Sequence, residues 1–349
     1  PSGQFRDFKF MFYTNTRIAN GEKIPLTVTL GEARPRFNAQ KELALVMNAP
    51  QRKIEELVVA GKDSPKAADI AIAGGLSVDV DINIPQGIKA GKYDIAVIIG
   101  NKSYREGIPQ VAYAHRDAAV MKEYVVRTMG FEEGNIIYAE DATLSKLNEI
   151  FGIASAPQGR LYKYVKPNVS RVFIYYGGHG APDLETGDAF ILPVDGNPEF
   201  IRTGGYRLQT FYDNLARIPA KKITVVLDTC FSGNTDKGML FKGISPALVK
   251  VKKEYRGPAG AVVITSASTD QVSAWYPEKR HSLFTYYFLK GLQGEADANS
   301  DGKITVGELS TYLKEHVPYM ARRLKGVEQQ PVVMGNDSDV LVRLKILQN

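Results

Sequence analysis

Beyond Tyr93 the chain alternates between strand-sized runs of branched aliphatic residues and longer stretches with helical spacing. YDIAVIIGN, NIIYAED, RVFIYY, KKITVVLD and AGAVVITSAS read as five strands. AHRDAAVMKEYVVRTMG, LSKLNEIFG, SLFTYYFLKGL and VGELSTYLKEHVPYMARRL read as helices among and after them. Apolar strands separated by helices build a mostly parallel α/β sheet with helices on both faces. The closing DVLVRLKIL is a candidate edge strand.

Ahead of this region the signals differ. KFMFYTN, IPLTVTL, ELALVM and LSVDVDINIP are short β-like runs separated by Gly, Pro, Asn and Asp. They predict a small β-rich, sandwich-like domain over 1–90, followed by the α/β domain over 91–349. No run approaches the roughly 18 apolar residues of a membrane span. The net charge of +6 raises nucleic-acid binding, but the basic residues are dispersed, apart from a cluster at Lys250, Lys252, Lys253 and Arg256, and lack interleaved aromatics. No nucleic-acid partner is expected. A single cysteine excludes an internal disulfide framework and a Cys-rich zinc site. The chain starts at Pro1 rather than Met, which leans the expected location slightly toward export. The oligomeric state is not legible.

The lone cysteine, Cys230, closes the fourth strand in VVLDTCFSG, and His179 closes the third in YYGGHG. Sites in open α/β sheets form beyond the carboxyl ends of the strands, so both residues are expected on one rim, from neighbouring strands. A thiol becomes nucleophilic when an imidazole raises its thiolate fraction. Taken singly, a strand-end Cys is most often a small packed hydrophobe. A His and a Cys that both close apolar strands in small-residue turns, with the His about 50 residues upstream, argue for a nucleophile and its base.

YYGGHG, DAFILPVDG and VVLDTCFSG, together with IAVIIGNKSY, RDAAVM and LFTYYFLKGL, resemble the caspase-like cysteine peptidases of family C14, in their metacaspase-like bacterial branch. The resemblance spans about Tyr93 to Leu347. It implies a caspase-like fold and a Cys230–His179 dyad, with the backbone N–H groups of Gly180 and Cys230 as oxyanion hole. No sequence candidate for a third member presents itself. His115, His281 and His316 read as helix residues.

Asp228, two residues before the thiol, stands where caspases that cut after Asp carry Gln. A carboxylate at the pocket base favours Arg or Lys at P1, the residue preceding the cleaved bond. The resemblance adds Asp117 as a second pocket acid, although Arg116 replaces the Asn of the family pattern. It also places SASTDQVSAWYPE beside the cleft, making Ser273, Ala274 and Trp275 candidates for pairing with an extended peptide. The Lys-rich stretch over 234–258 (Lys237, Lys242, Lys250, Lys252, Lys253, Arg256) lies where relatives are cut, so self-processing is expected there.

A second motif is independent of this chemistry. ADANSDGKITVGEL puts Asp297, Asn299 and Asp301 at positions 1, 3 and 5 of an EF-hand-like loop, Gly302 at the turn, Lys303 at 7, Thr305 at 9 and Glu308 at 12. Calcium is the expected ion, and no organic cofactor is expected. No G-x-G-x-x-G follows the first strand, which argues against a dinucleotide enzyme. The expectation is a cysteine endopeptidase acting on peptides with Arg or Lys at P1. A catalytically silent caspase-like adaptor, or a calcium-binding interaction protein, is the alternative.

Overall fold

A computed structural model describes residues 78–232, 234–235, 238–240, 255, 257–268 and 271–345, and the backbone of two strands at 23–30 and 39–46. The chain divides into Pro1–Ile72 and Ala73–Asn349. In the first unit, Lys23–Leu30 and Ala39–Val46 pair antiparallel with Lys23 opposite Val46 and Leu30 opposite Ala39. The rest of the expected β-rich domain lies outside the described residues.

The second unit is built on a six-stranded sheet. Its order is Val332–Met334, Val262–Thr265, Lys222–Asp228, Arg171–Gly177, Ile95–Gly100 and Ile136–Glu140. The five strands expected from sequence are present and parallel, and only Val332–Met334 runs antiparallel, at the edge. The expected edge strand from DVLVRLKIL forms elsewhere: Val340–Arg343 pairs with Lys303–Thr305.

Both faces of the sheet are covered, which explains why its strands read as unbroken apolar runs. On one face Ala96, Ile98, Phe173, Tyr175, Val226 and Ile264 meet the helices Ala114–Arg127, Leu283–Lys290 and Val306–Lys325. On the other, Val97, Ile99, Ile174, Tyr176, Val225 and Leu227 meet Leu144–Phe151, Arg160–Tyr164 and Leu208–Ala216. Each fully buried aliphatic side chain contributes roughly 1.5–3 kcal/mol, so these two layers hold the strand ends, and the loops beyond them, in fixed register.

The sequence boundary near residue 90 differs from the observed one. The described part of LSVDVDINIP, from Val78, is not a strand: Asp79–Ile82 is a single helical turn. Val78, Val80 and Ile84 are buried in the core of the second unit, and Tyr124 donates its hydroxyl to the Val80 carbonyl at 2.9 Å. Alternating apolar and acidic residues satisfied this turn equally well, because its acids find partners far away in sequence.

Candidate active site

The Arg171–Gly177 and Lys222–Asp228 strands are adjacent and parallel, with Gly177 opposite Asp228. His179 therefore lies two residues past one strand end, and Cys230 two residues past the neighbouring one. Both line a single pocket with Asp117, Asp228, Ser273 and Trp275. Of the residues picked out for catalysis and substrate binding, only Gly180 and Ala274 are absent from its wall.

His179 is held from several sides. Its backbone N–H donates to Tyr104 Oη at 2.7 Å, and the two rings lie 4.6 Å apart. Its Nε2 lies 2.7 Å from the Pro109 carbonyl oxygen. A carbonyl only accepts, so Nε2 carries the proton and Nδ1 of the neutral ring is left as the basic nitrogen. Burial pushes the imidazole pKa down to about 4, against the Pro109 hydrogen bond, which keeps the ring neutral near pH 7. The Pro109 carbonyl is the orienting group that sequence reasoning did not find; a backbone oxygen leaves no signature in residue type.

The His179 carbonyl accepts the Leu192 N–H at 3.0 Å, next to the paired residues Gly180 and Ile191. That pattern makes Gly180 and Ile191 a non-hydrogen-bonded pair, so the Gly180 N–H points out of this ladder. A Cβ on Gly180 would come within 2.6 Å of the Phe231 ring, and one on Gly178 within 2.7 Å of the Tyr176 and Tyr104 hydroxyls. At Gly180 the neighbouring strand end, and at Gly178 the two tyrosine hydroxyls, come too close for a side chain to fit without a shift.

Cys230 is partly exposed, and its Sγ lies 2.5 Å from the Gln271 carbonyl oxygen and 2.8 Å from Ser232 Oγ. The loop containing Gln271 is fastened from behind. Gln329, fully buried, donates to the Ser266 carbonyl at 3.0 Å and accepts the Ala274 N–H at 2.9 Å. Since the Ala274 carbonyl also accepts the Leu283 N–H, the backbone of Ala274 is committed within the fold and does not offer itself to a peptide. Ser273 and Trp275, on either side, do line the pocket; Ser273 Oγ lies 2.5 Å from Ser266 Oγ, and Trp275 stands edge-on to Tyr113.

The pocket floor is acidic and buried. Thr285 donates its hydroxyl to Asp228 Oδ2 at 2.6 Å, and Tyr175 Oη lies 2.9 Å from Thr285 Oγ1. Because the Thr285 proton is directed at the carboxylate, Tyr175 is the donor in that second bond. Burial, and then the charge of Asp117, push Asp228 up to about 6. Burial likewise raises Asp117, against its hydrogen bond to His281. One hydroxyl at this floor, Thr229 Oγ1, is buried with no hydrogen-bond partner among the described residues.

The other histidines divide. His115 Nε2 is 2.8 Å from Asp141 Oδ1, and His316 stacks on Tyr287. Both are helical, as expected. His281 is not helical: it sits in a two-residue strand, fully buried, before the helix begins at Leu283.

In the 297–308 loop the donors satisfy one another. Asp297 accepts the N–H groups of Asp301 and Gly302 at 3.1 and 2.9 Å, and Gly302 takes the positive φ of the turn, +73°. Asp301 pairs with the Lys303 ammonium at 2.9 Å. Glu308 caps its own helix, accepting from Thr305 N–H and Oγ1 at 3.0 and 2.7 Å. Among the described residues no three His, Cys, Asp or Glu side chains converge as metal ligands. The turn has the expected form, but an ion would have to displace Lys303 and draw Glu308 inward. The six basic residues expected to be cut in the 234–258 stretch lie outside the described residues.

The fold and this pocket define an α/β protein with a thiol and an imidazole on a shared rim above buried acid. The caspase-domain family model (Peptidase_C14) matches residues 94–340, and the chain belongs to that family of cysteine peptidases. Its substrates as a class are proteins and peptides. Among solved structures, caspase-1 from Spodoptera frugiperda is similar at 14% identity, covering 77% of this chain and 98% of that one, with a TM-score of 0.49. No curated protein matches the sequence. Among the described residues no helix is long and apolar enough to cross a membrane.

Proposed function

We propose that this chain is a cysteine endopeptidase that cuts after Arg or Lys. The observation that carries the reading is one pocket lined by Cys230, His179, Asp117 and Asp228. In this reading His179 Nδ1 takes the thiol proton, and the thiolate adds to the carbonyl carbon of the P1 residue. The oxyanion is met by the N–H groups of Gly180 and Cys230. The imidazolium, steadied by the Pro109 carbonyl, gives its proton to the leaving amine as the C–N bond breaks. Water, deprotonated by the same ring, then hydrolyses the thioester and frees the thiol. A P1 cation between Asp228 and Asp117 fills the polar floor, whereas an acidic P1 side chain would be repelled there.

Fluorogenic peptides with Arg, Lys and Asp at P1 test this, with Cys230→Ala as control. Cleavage of the first two and not the third, lost in the variant, is the expected result. Cleavage of Asp-P1 peptides alone would overturn the specificity, and no Cys230-dependent cleavage of any peptide would favour the adaptor reading. Self-processing at the basic residues of 234–258 belongs to the same proposal: wild type should fragment on incubation while Cys230→Ala stays whole. The spacing of its ligands also supports calcium in the 297–308 loop, as a structural ion rather than a participant in the chemistry.

A further inference from the structure

Behind the pocket wall lies a charged chain that neither the dyad nor the motif at Asp228 explains. His281 is fully buried, with Nδ1 2.5 Å from Asp117 Oδ1 and Nε2 2.8 Å from Asp81 Oδ1. Carboxylate oxygens that face both ring nitrogens favour a proton on each, and hence a cationic ring. Burial opposes that charge, but the hydrogen bonds and charges of Asp117 and Asp81 outweigh it and raise the pKa to about 9. Asp117 Oδ2 accepts the Ser282 N–H at 3.1 Å, so both of its oxygens are positioned from the same two-residue strand. Asp81 in turn pairs with Arg116.

The other charged and titratable groups around this chain are accounted for. Asp79 is tied to Lys279 and Lys290 at 3.2 and 3.0 Å. The phenols of Tyr124, Tyr175 and Tyr286 are raised, by burial first, and stay neutral. Asp228 faces Asp117 across the pocket floor. Charge therefore cancels within the group of Asp81, Arg116, His281 and Asp117, and Asp228 alone remains uncompensated.

We propose that His281 is a specificity-determining positioning residue. It fixes Asp117 in the pocket wall and cancels its charge, so that Asp228 presents one net negative charge to one P1 cation, and Asp81 ties this arrangement to the Asp79–Ile82 helix. That helix lies outside residues 94–340, the span matched by the caspase-domain family. The proposal rests on the basic-P1 reading and deepens it. Without an imidazolium on Asp117, the neighbouring buried carboxylates of Asp117 and Asp228 do not both stay ionised; they share a proton up to higher pH. A protonated floor meets a basic side chain poorly, so the loss should show first on the acid side.

The test compares His281→Gln, which keeps hydrogen-bonding groups but not charge, with Asp81→Asn. For an Arg-P1 peptide, the acid limb of kcat/KM should move up by about one pH unit in His281→Gln, a fall of about fivefold at pH 6 approaching tenfold at pH 5 and carried by KM, and by less in Asp81→Asn. A purely structural role would lower activity at every pH without moving the limb, and unmoved limbs in both variants would overturn the proposal. Should His281→Gln fail to fold, Asp81→Asn decides. Calorimetric binding of the same peptide in a Cys230→Ala background separates the two readings. A limb in binding that moves with His281, without cleavage by wild type, would sink the peptidase reading alone. Cleavage after Arg with an unmoved limb would sink this one alone, and no binding at any pH would sink both.

Discussion

The carboxylates of the pocket floor and those of the 297–308 loop are the same chemical group in opposite surroundings. Asp117 and Asp228 are buried, and their partners (His281, Thr285 and the Ser282 N–H) come from segments more than fifty residues away. Asp297, Asp301 and Glu308 sit near the surface and are satisfied within five residues. Burial makes a carboxylate's charge expensive and therefore selective for what may approach it. Exposure leaves it to local turns and caps that hold backbone more than they recognise a partner. In sequence the first cluster is proposed by its family motif and the second by ligand spacing; their surroundings separate them.

The largest expected effect sets the clusters furthest apart. Asp228→Asn should lower kcat/KM on Arg-P1 peptides about a hundredfold, as loss of one member of a buried charge pair does, while Glu308→Gln leaves it within about twofold. Parallel progress curves measure both, and equal losses would erase the distinction. Next comes acid sensitivity. Asp228 must be ionised to meet a cation and is held at about 6, so activity on Arg and Lys peptides should fall about tenfold per pH unit below that value. A limb near the ordinary carboxylate range would show that the floor is not as dry as its burial implies.

Stability should respond in the alkaline direction. His281 is raised to about 9 from an ordinary value near 6.5. A raised base stabilises the fold in full below its unfolded value and loses that contribution as pH rises through its folded one. Melting temperature should therefore decline between about pH 6.5 and 9, and His281→Gln should flatten that slope. The smallest effects belong to the loop. Thr305→Ala removes the helix cap at a cost of about 1 kcal/mol, read as a lower denaturation midpoint. Calcium should raise the wild-type melting temperature and leave Glu308→Ala unmoved; a rise that persists in Glu308→Ala would place the ion elsewhere.

Much of this was legible in the sequence because it rests on short-range pattern. Apolar runs bounded by turns gave the five parallel strands, and the small residues after RVFIYY and VVLD pointed to His179 and Cys230 on one rim. Asp228 was legible from its place two residues before the thiol. What escaped depends on distant partners. His281 precedes an aromatic helical run and was read with it, although the helix starts only at Leu283. The alternation in LSVDVDINIP looked like a strand because nothing local shows Asp79 reaching Lys290 or Asp81 reaching His281. The Pro109 carbonyl is a backbone group, and Ala274 was misjudged because its engagement depends on Gln329, 55 positions along the chain.

The single helical turn at Asp79–Ile82 also bears on how members of this family are compared. Alignment over the shared domain starts at residue 94 and takes in Cys230, His179, Asp117, Asp228 and His281. It leaves out Asp81, the carboxylate on the far side of His281. A fragment trimmed to that boundary would keep its chemical apparatus and lose one wall of its charge compensation. If His281 has the proposed role, two homologues identical across the domain but different in the dozen or so residues before it would diverge in the acidity at which they accept the same peptide, a heritable difference that a domain-level comparison would score as identity.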